Sequence, residues 1–283
     1  MSRVVIDPVS RVGGHLRVEV EVPGPVASDA WVSGTSFRGI ERILTGRDPR
    51  DAWLLAERIC GRCSGIHGLA SVRAVERAFG IAIPTNARLV RNLLAATQFV
   101  VDHVLHFYQL QLADWVDLGS ALRADAAATV AFARAHDIAG QPDAAYFERA
   151  RDRLAALLSA GAAGSTGGRH PAYRVPPEAE LIVLAHSLEA LDWIRAVAHL
   201  QVLLGGKEPH PQTFLVGGMA LAPAWGGPTR SAAEHPQVDH TTYPVLSARG
   251  LADVQQLIGQ VQRFVREVYL PDVLLVAGYY EEW

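Results

Sequence analysis

Between Leu16 and Val22 apolar and charged residues alternate: Leu16, Val18, Val20 and Val22 point one way, Arg17, Glu19 and Glu21 the other. This period of two is the mark of a half-buried strand. Pro23-Gly24-Pro25 ends it, and 26–37 supplies a second short strand, so the first forty residues read as β. After Asp51 the spacing of apolar positions lengthens to that of helices. Helices are expected over 51–58 and over 64–79, the latter with Ser64 as N-cap and Gly80 as stop. The longest helical pattern runs over 88–118, about 45 Å at 1.5 Å per residue. Its apolar stripe is Leu89, Leu93, Val100, Val104 and Phe107. An Ala-rich helical stretch over 121–160 breaks near Gly140 and Pro142, a small-residue loop follows at 161–168, and another helix covers 178–204. The 215–228 stretch reads as a Gly- and Pro-rich buried loop, and a last helix over 254–269 is stopped by Pro271.

The expected fold class is therefore α+β and helix-dominated: a single domain over 1–283, with a small β region at 1–40 and long packed helices over 51–283. Composition agrees. Apolar residues are 49 % of the 283 and charged residues 19 %, enough for a large core and against disorder. A formal net charge of −3 without a basic block argues against nucleic acid as partner. No apolar run reaches the roughly 18 residues of a membrane span. The N-terminus has no apolar targeting region, which places the chain in the cytoplasm, or at a membrane or in the periplasm if a signal-bearing partner carries it.

The chemistry concentrates in Cys60-Gly61-Arg62-Cys63, which holds both cysteines of the chain. Two cysteines make no disulfide framework. At a helix start, beside Arg58 and Arg62, the thiolate forms are favoured, and thiolates select zinc, nickel, copper(I) or iron. His67, four residues after Cys63, shares its helix face. A thioredoxin-like redox pair, half a zinc site and half of another metal site all remain open. The redox reading suffers because a helix, not a strand, precedes the pair, and the zinc reading because no second Cys pair exists. Either metal reading needs distant groups or another polypeptide to complete it. Asp102, His106 and Gln109 form a polar stripe on the long helix, which faces solvent or serves a function with equal weight. Glu41, beside Arg38, taken alone reads better as an ion-pair partner than as a cation ligand. The 205–211 segment lacks phosphate-loop spacing and reads as a helix stop and turn. His136, His186 and His199 read as ordinary surface or core residues.

Taken together, these segments resemble the large subunit of nickel–iron hydrogenases. The resemblance begins at Asp7-Pro8-Val9-Ser10-Arg11-Val12-Gly13-Gly14-His15-Leu16-Arg17 and continues through Phe37-Arg38-Gly39-Ile40-Glu41 and Gly46-Arg47-Asp48-Pro49. It peaks at Arg58-Ile59-Cys60-Gly61-Arg62-Cys63-Ser64-Gly65-Ile66-His67. Pro84-Thr85-Asn86-Ala87, Arg91-Asn92-Leu93, Asp102-His103-Val104-Leu105-His106-Phe107-Tyr108, Gly205-Gly206-Lys207 and Pro209-His210-Pro211 come next in order. The resemblance implies an α+β fold of long helices around a buried nickel site. Cys60 would then be a terminal nickel ligand and Cys63 a bridge from nickel to an iron carrying CN and CO. His67 would be a donor near the bridging sulfur, Glu41 a magnesium ligand, and Asp102 a carboxylate above the open coordination position. The implied reaction is the reversible heterolytic oxidation of dihydrogen, with electrons passed to an iron–sulfur small subunit.

The chain departs from the family pattern at two places. The family's glutamate, a favoured first proton carrier, is replaced by Gly13, so slower or rerouted proton transfer is expected. The family's second cysteine motif is absent from the 283 residues. With it go two nickel ligands, a magnesium-binding histidine and an arginine above the site. The expectation is the N-terminal half of a large subunit that works with a separate C-terminal piece. The alternatives are an inactive truncated fragment, a non-catalytic partner-binding remnant, or a related quinone-reductase-type subunit.

Overall fold

A computed structural model of the chain describes residues 2–9, 14–34, 36–140, 142–160, 171–223, 245–246 and 248–282. Gly13, the 161–168 loop and the 224–228 end of the 215–228 stretch lie outside the described residues. The N-terminal region is a three-stranded antiparallel sheet of β1 (Ser2–Ile6), β2 (Leu16–Val22) and β3 (Asp29–Gly34), with β2 in the centre. Val4 pairs with Val20, and Val18 with Val32, so the valines share one face. The one-sided burial expected of β2 does not occur: every residue in it is half-buried. On the charged face, Arg17 pairs with Glu19 and Asp7 and Arg3 pairs with Glu19, so these side chains shield one another. On the other face Val4 and Val32 remain largely exposed.

Two short helices follow, α1 (Ile40–Ile43) and α2 (Ala52–Ala56), the second flanked by 3-10 turns at Pro49–Asp51 and Glu57–Ile59. Helix α3 (Ser64–Phe79) has Cys63, not Ser64, at its N-cap position. The Ser64 hydroxyl is engaged elsewhere, accepting the His210 backbone N–H at 2.9 Å. Gly80 ends α3 in the left-handed conformation, φ 66°, as expected.

Helix α4 (Thr85–Leu105) is shorter than the 88–118 pattern implies. It passes into a π-helical turn at His106–Leu110, then into α5 (Leu112–Trp115) and α6 (Leu118–Arg123). Its buried stripe is also rotated from the expected one. Ala87, Arg91, Leu94, Thr97, Gln98, Val101 and Val104 face inward, while Leu89 and Leu93 are exposed. Arg91 explains the rotation. Its guanidinium holds both Glu76 carboxylate oxygens at 2.7 and 2.9 Å and the carbonyls of Leu215 and Gly218 at 2.8 Å. A paired arginine of this kind belongs inside, whatever the apolar pattern implies.

Helices α7 (Ala126–Ala135) and α8 (Ala144–Ser159) flank the break near Gly140. The longest helix is α9 (Pro177–Gly205), with 29 residues. Residues 179–188 are buried without interruption, the state of a helix covered on all sides within a bundle, and the stretch includes the polar Glu180, His186 and Ser187. Helices α4, α6, α7 and α8 pack around it, as does α10 (Ala248–Phe264). A second π-helical turn at Val265–Tyr269 joins α10 to α11 (Leu270–Gly278). Pro271 does not stop the helical run. It sits in the first turn of α11, directly after the π-helical turn.

The main core gathers Val104, Tyr108, Val116, Phe147, Ile182 and Val197 around α9. A smaller core of Trp53, Leu69, Val72, Leu94, Leu204 and Phe214 backs the cysteine segment. Phe214 belongs to the β4 (Phe214–Leu215) and β5 (Gly218–Met219) hairpin, and a parallel pair β6 (Ala222–Pro223) and β7 (Val245–Leu246) completes the strands. Among the described residues no helix is long and apolar enough to cross a membrane.

Candidate metal centre

The cysteines are set by the junction between the Glu57–Ile59 turn and α3. Cys60 is extended, φ −139° and ψ 126°, and Cys63 caps α3. The Cys63 backbone N–H points at the Cys60 sulfur, 3.3 Å away. One helical turn later, His67 presents its ring to the same place. The two sulfurs and a His67 nitrogen all lie within 4.8 Å of one another, and all three residues are half-buried. Two thiols and an imidazole at this spacing suit nickel, iron or zinc, not a hard cation such as magnesium. Three donors are fewer than a closed tetrahedral site requires.

The two thiols differ. Burial pushes Cys60 up, but hydrogen bonds from the Cys63 thiol and the Cys63 and Arg62 backbone, with the Arg62 charge, bring it below its ordinary value. Cys63 is pushed up to about 11 by burial, by its bond to Cys60 and the charge there, and by Asp102. Asp102, on α4, thus acts on the cysteine pair. It is half-buried and held by the Gln98 amide at 2.8 Å, which is itself held by Gln201 at 3.1 Å. The rest of the expected polar stripe separates from it. His106 and Gln109 fall in the π-helical turn and are exposed, with Gln109 donating to the Ser187 carbonyl at 3.1 Å. Glu41 is exposed on α1 and lies outside the three-donor group.

Three residues beside the cysteines carry no chemistry that sequence spacing announces. Glu57 is fully buried, and neither of its oxygens accepts a hydrogen bond among the described residues. Arg58 and His210 approach it at 3.6 and 3.9 Å. Burial pushes Glu57 up to about 8, against the charges of Arg58 and Lys207. It fits there because Gly68 has no side chain: a Cβ would come within 2.8 Å of Glu57 Oε1. Glu208 is pushed up to about 7 by burial and by Asp102. His210 is pulled down by burial and by Arg58 and Lys207. Glu208 and His210 arrive on the turn after α9, which reverses at Gly206, φ 75°. The helix stop and turn read at 205–211 are there, and the turn returns the chain to Ser64 beside the cysteines. The sequence signs are the position of Glu57 three residues before Cys60 and Pro209-His210-Pro211, a segment of the hydrogenase resemblance to which no role is attached.

Known proteins give this geometry a context. The nickel-dependent hydrogenase family matches residues 38–283. The hydrogenase-2 large chain of Escherichia coli (strain K12) is 38 % identical over 285 residues, which cover 100 % of this chain and 48 % of that one. The uptake hydrogenase large subunit of Rhizobium leguminosarum bv. viciae is 41 % identical over 286 residues, covering 100 % and 46 %. Among solved structures, the Ni-Fe-Se hydrogenase from D. vulgaris Hildenborough superposes with a TM-score of 0.67 at 30 % identity, over 99 % of this chain and 45 % of that one. The chain spans about half the length of the relatives it matches. Identity at this level along the whole chain, with the same fold, makes it a member of the nickel-dependent hydrogenase family, corresponding to about half of a large subunit.

Proposed function

We propose that these residues form part of a nickel–iron hydrogenase large subunit that oxidises dihydrogen reversibly to protons and electrons. Cys60 would hold nickel, Cys63 would bridge nickel to an iron carrying CN and CO, and Glu41 would bind magnesium. The observation that carries this reading is the convergence of Cys60, Cys63 and His67 within 4.8 Å, inside the family-matched residues. When bound, the metal pair supplies the Lewis acidity that splits dihydrogen. The chain's own groups supply a place for the proton. Cys63 would be deprotonated as a metal ligand, so a group beside it would take the proton, and Asp102 faces that sulfur. His67 lies beside both sulfurs, where a donor orients a ligand and tunes its basicity.

With two thiols in 283 residues, the remaining nickel ligands must come from polypeptide outside this sequence. The clusters that take the electrons must come from an iron–sulfur small subunit, because both cysteines are already committed. The test is dihydrogen-dependent dye reduction by the assembly of this chain, the rest of a large subunit and a small subunit. Cys60→Ser and Cys63→Ser should each abolish turnover, and Asp102→Asn should lower it by about 10- to 100-fold, as losing a group that supports a metal ligand does. Undiminished turnover in either cysteine variant would sink the reading.

A further inference from the structure

Glu208 is a half-buried carboxylate with no task in the reaction above. It falls between Gly205-Gly206-Lys207 and Pro209-His210-Pro211 and belongs to neither of those resembling segments. Its turn is pinned to the first turn of α3. The Ser64 hydroxyl accepts the His210 N–H at 2.9 Å, and Pro211 packs on Gly65, where a Cβ would meet its ring at 3.3 Å. With Gly65, Gln98 and Gln201, Glu208 lines a cavity of about 10 Å³, the least space that suits one water. The side chains of Gln98, Gln201 and Glu208 offer such a water the polar partners it needs. Gln98 also holds Asp102. Its amide donates to Asp102 Oδ1 at 2.8 Å, while its own oxygen accepts from Gln201 at 3.1 Å. Turning that amide round would set its oxygen against the carboxylate, so Gln201 fixes the direction of the bond. Among the described residues Asp102 Oδ2 has no hydrogen bond, and the Glu208 carboxylate has neither hydrogen bond nor ion pair.

Two carboxylates on one side of the cysteine pair make a route. Asp102 faces the Cys63 sulfur and acts on Glu208 as a like charge. Lys207 and Pro209, on either side of Glu208, are exposed, so the turn opens to solvent. We propose that Glu208 is the proton carrier between Asp102 and solvent, reached through one water in the cavity that it shares with Gln98. This rests on the reading of Asp102 as the group that takes the proton beside Cys63. The Asp102 O–H bond breaks as an O–H bond to the water forms, and that water gives another of its protons to Glu208. Asp102 is left as a carboxylate and Glu208 as a neutral acid. Glu208 then passes the proton to bulk water and recovers its charge, and no electron moves. Burial and Asp102 raise Glu208 to about 7, where a carrier both takes and releases a proton readily at neutral pH. The other charged groups around it are Glu57, on which it acts in turn, and Lys207 and His210 of its own turn.

The test has two parts, and the first needs only this chain. Carbon-13 NMR follows the Glu208 side-chain carboxyl, identified by its loss in Glu208→Gln. Its midpoint, about 7 in the wild type, should move down in Asp102→Asn, which removes the facing charge and keeps the shape. An unmoved midpoint would mean that the two groups do not face each other, and would overturn the proposal. The second part uses the assembly that turns over dihydrogen. Glu208→Gln should lower dye reduction about tenfold, less than the roughly 100-fold of a group acting at the reacting atoms. It should also raise the solvent deuterium isotope effect, because proton transfer becomes limiting. Glu208→Asp, which keeps the acid on a shorter stem, should recover part of the rate. A slower Glu208→Gln variant with an unchanged isotope effect would show a merely structural role and overturn the proposal. Undiminished turnover in Glu208→Gln, with Cys60→Ser and Cys63→Ser inactive, would overturn it and leave the half-site reading standing. Turnover in the cysteine variants would overturn both.

Discussion

Glu57 sits fully buried, three residues before Cys60, with no hydrogen bond to either oxygen among the described residues. Its pKa rises from 4.5 to about 8, with burial as the largest cause. Between those values the folded chain holds a proton that the unfolded chain has released, so stability falls as pH rises through that window. Glu208, raised to about 7 by burial and Asp102, contributes a fall of the same sign. His186 is also raised, because Asp272 outweighs burial, and adds a loss above its ordinary value of 6.5. Glu57→Gln keeps the shape and cannot ionise. Thermal melts between about pH 4.5 and 8 should show a shallower decline in this variant than in the wild type, the remainder belonging to Glu208 and His186; parallel declines would show that Glu57 does not titrate there. Residues of this kind mark the limit of sequence reading. Cys60, Cys63 and His67 were legible because their spacing along one helix start fixes their proximity. Glu57, Glu208 and His210 meet the site through tertiary packing, the last two from a turn about 150 residues away, and no local pattern encodes that.

The first π-helical turn, His106–Leu110, the central helix, and α11 just after the second π-helical turn, Val265–Tyr269, meet at one buried cluster. Tyr108 donates its hydroxyl to Asp272 at 2.6 Å, and His186 holds the same carboxylate at 2.9 Å. Asp272 is fully buried, and among the described residues its carboxylate is held by these two partners. Asp272→Asn weakens the pairing with His186 and leaves an imidazole without its counter-charge, which costs about 3–5 kcal/mol where a buried pair is broken. Urea unfolding should show a loss of that order, and a loss below about 1 kcal/mol, the scale of an exposed pair, would mean that the cluster is solvated. These turns also explain where the periodicity misled. A 3.6-residue pattern ran α4 on to 118, because a π insertion shifts the face without changing the apolar content, whereas the last helix was ended by reading Pro271 as a stop, and the helical run continues past it. Helix α9 was legible almost to the residue, since a largely apolar run is bounded by Pro176-Pro177 at its start and Gly205-Gly206 at its end, the marks of a helix start and stop. His186 was read as an ordinary residue; its role as an ion-pair partner appears only once α11 packs against α9.

At the scale of the whole molecule, a helical bundle carries a half-covered sheet and a three-donor site. The α+β, helix-dominated class was legible from the change of period after Asp51. The rotation of α4 was not, because Arg91 and Glu76 set it through a buried pair that hydrophobicity does not register. Open surfaces and missing ligands agree with a chain that spans about half the length of its relatives. The central claim is that Cys60 and Cys63 hold nickel within a completed large subunit. The most direct measurement is the nickel content of this chain isolated with its bound partners from its native host, beside Cys60→Ser and Cys63→Ser. Nickel equimolar with the wild-type chain and lost in each variant is the expected result; a nickel-free wild-type assembly, or nickel retained in both variants, would contradict the claim.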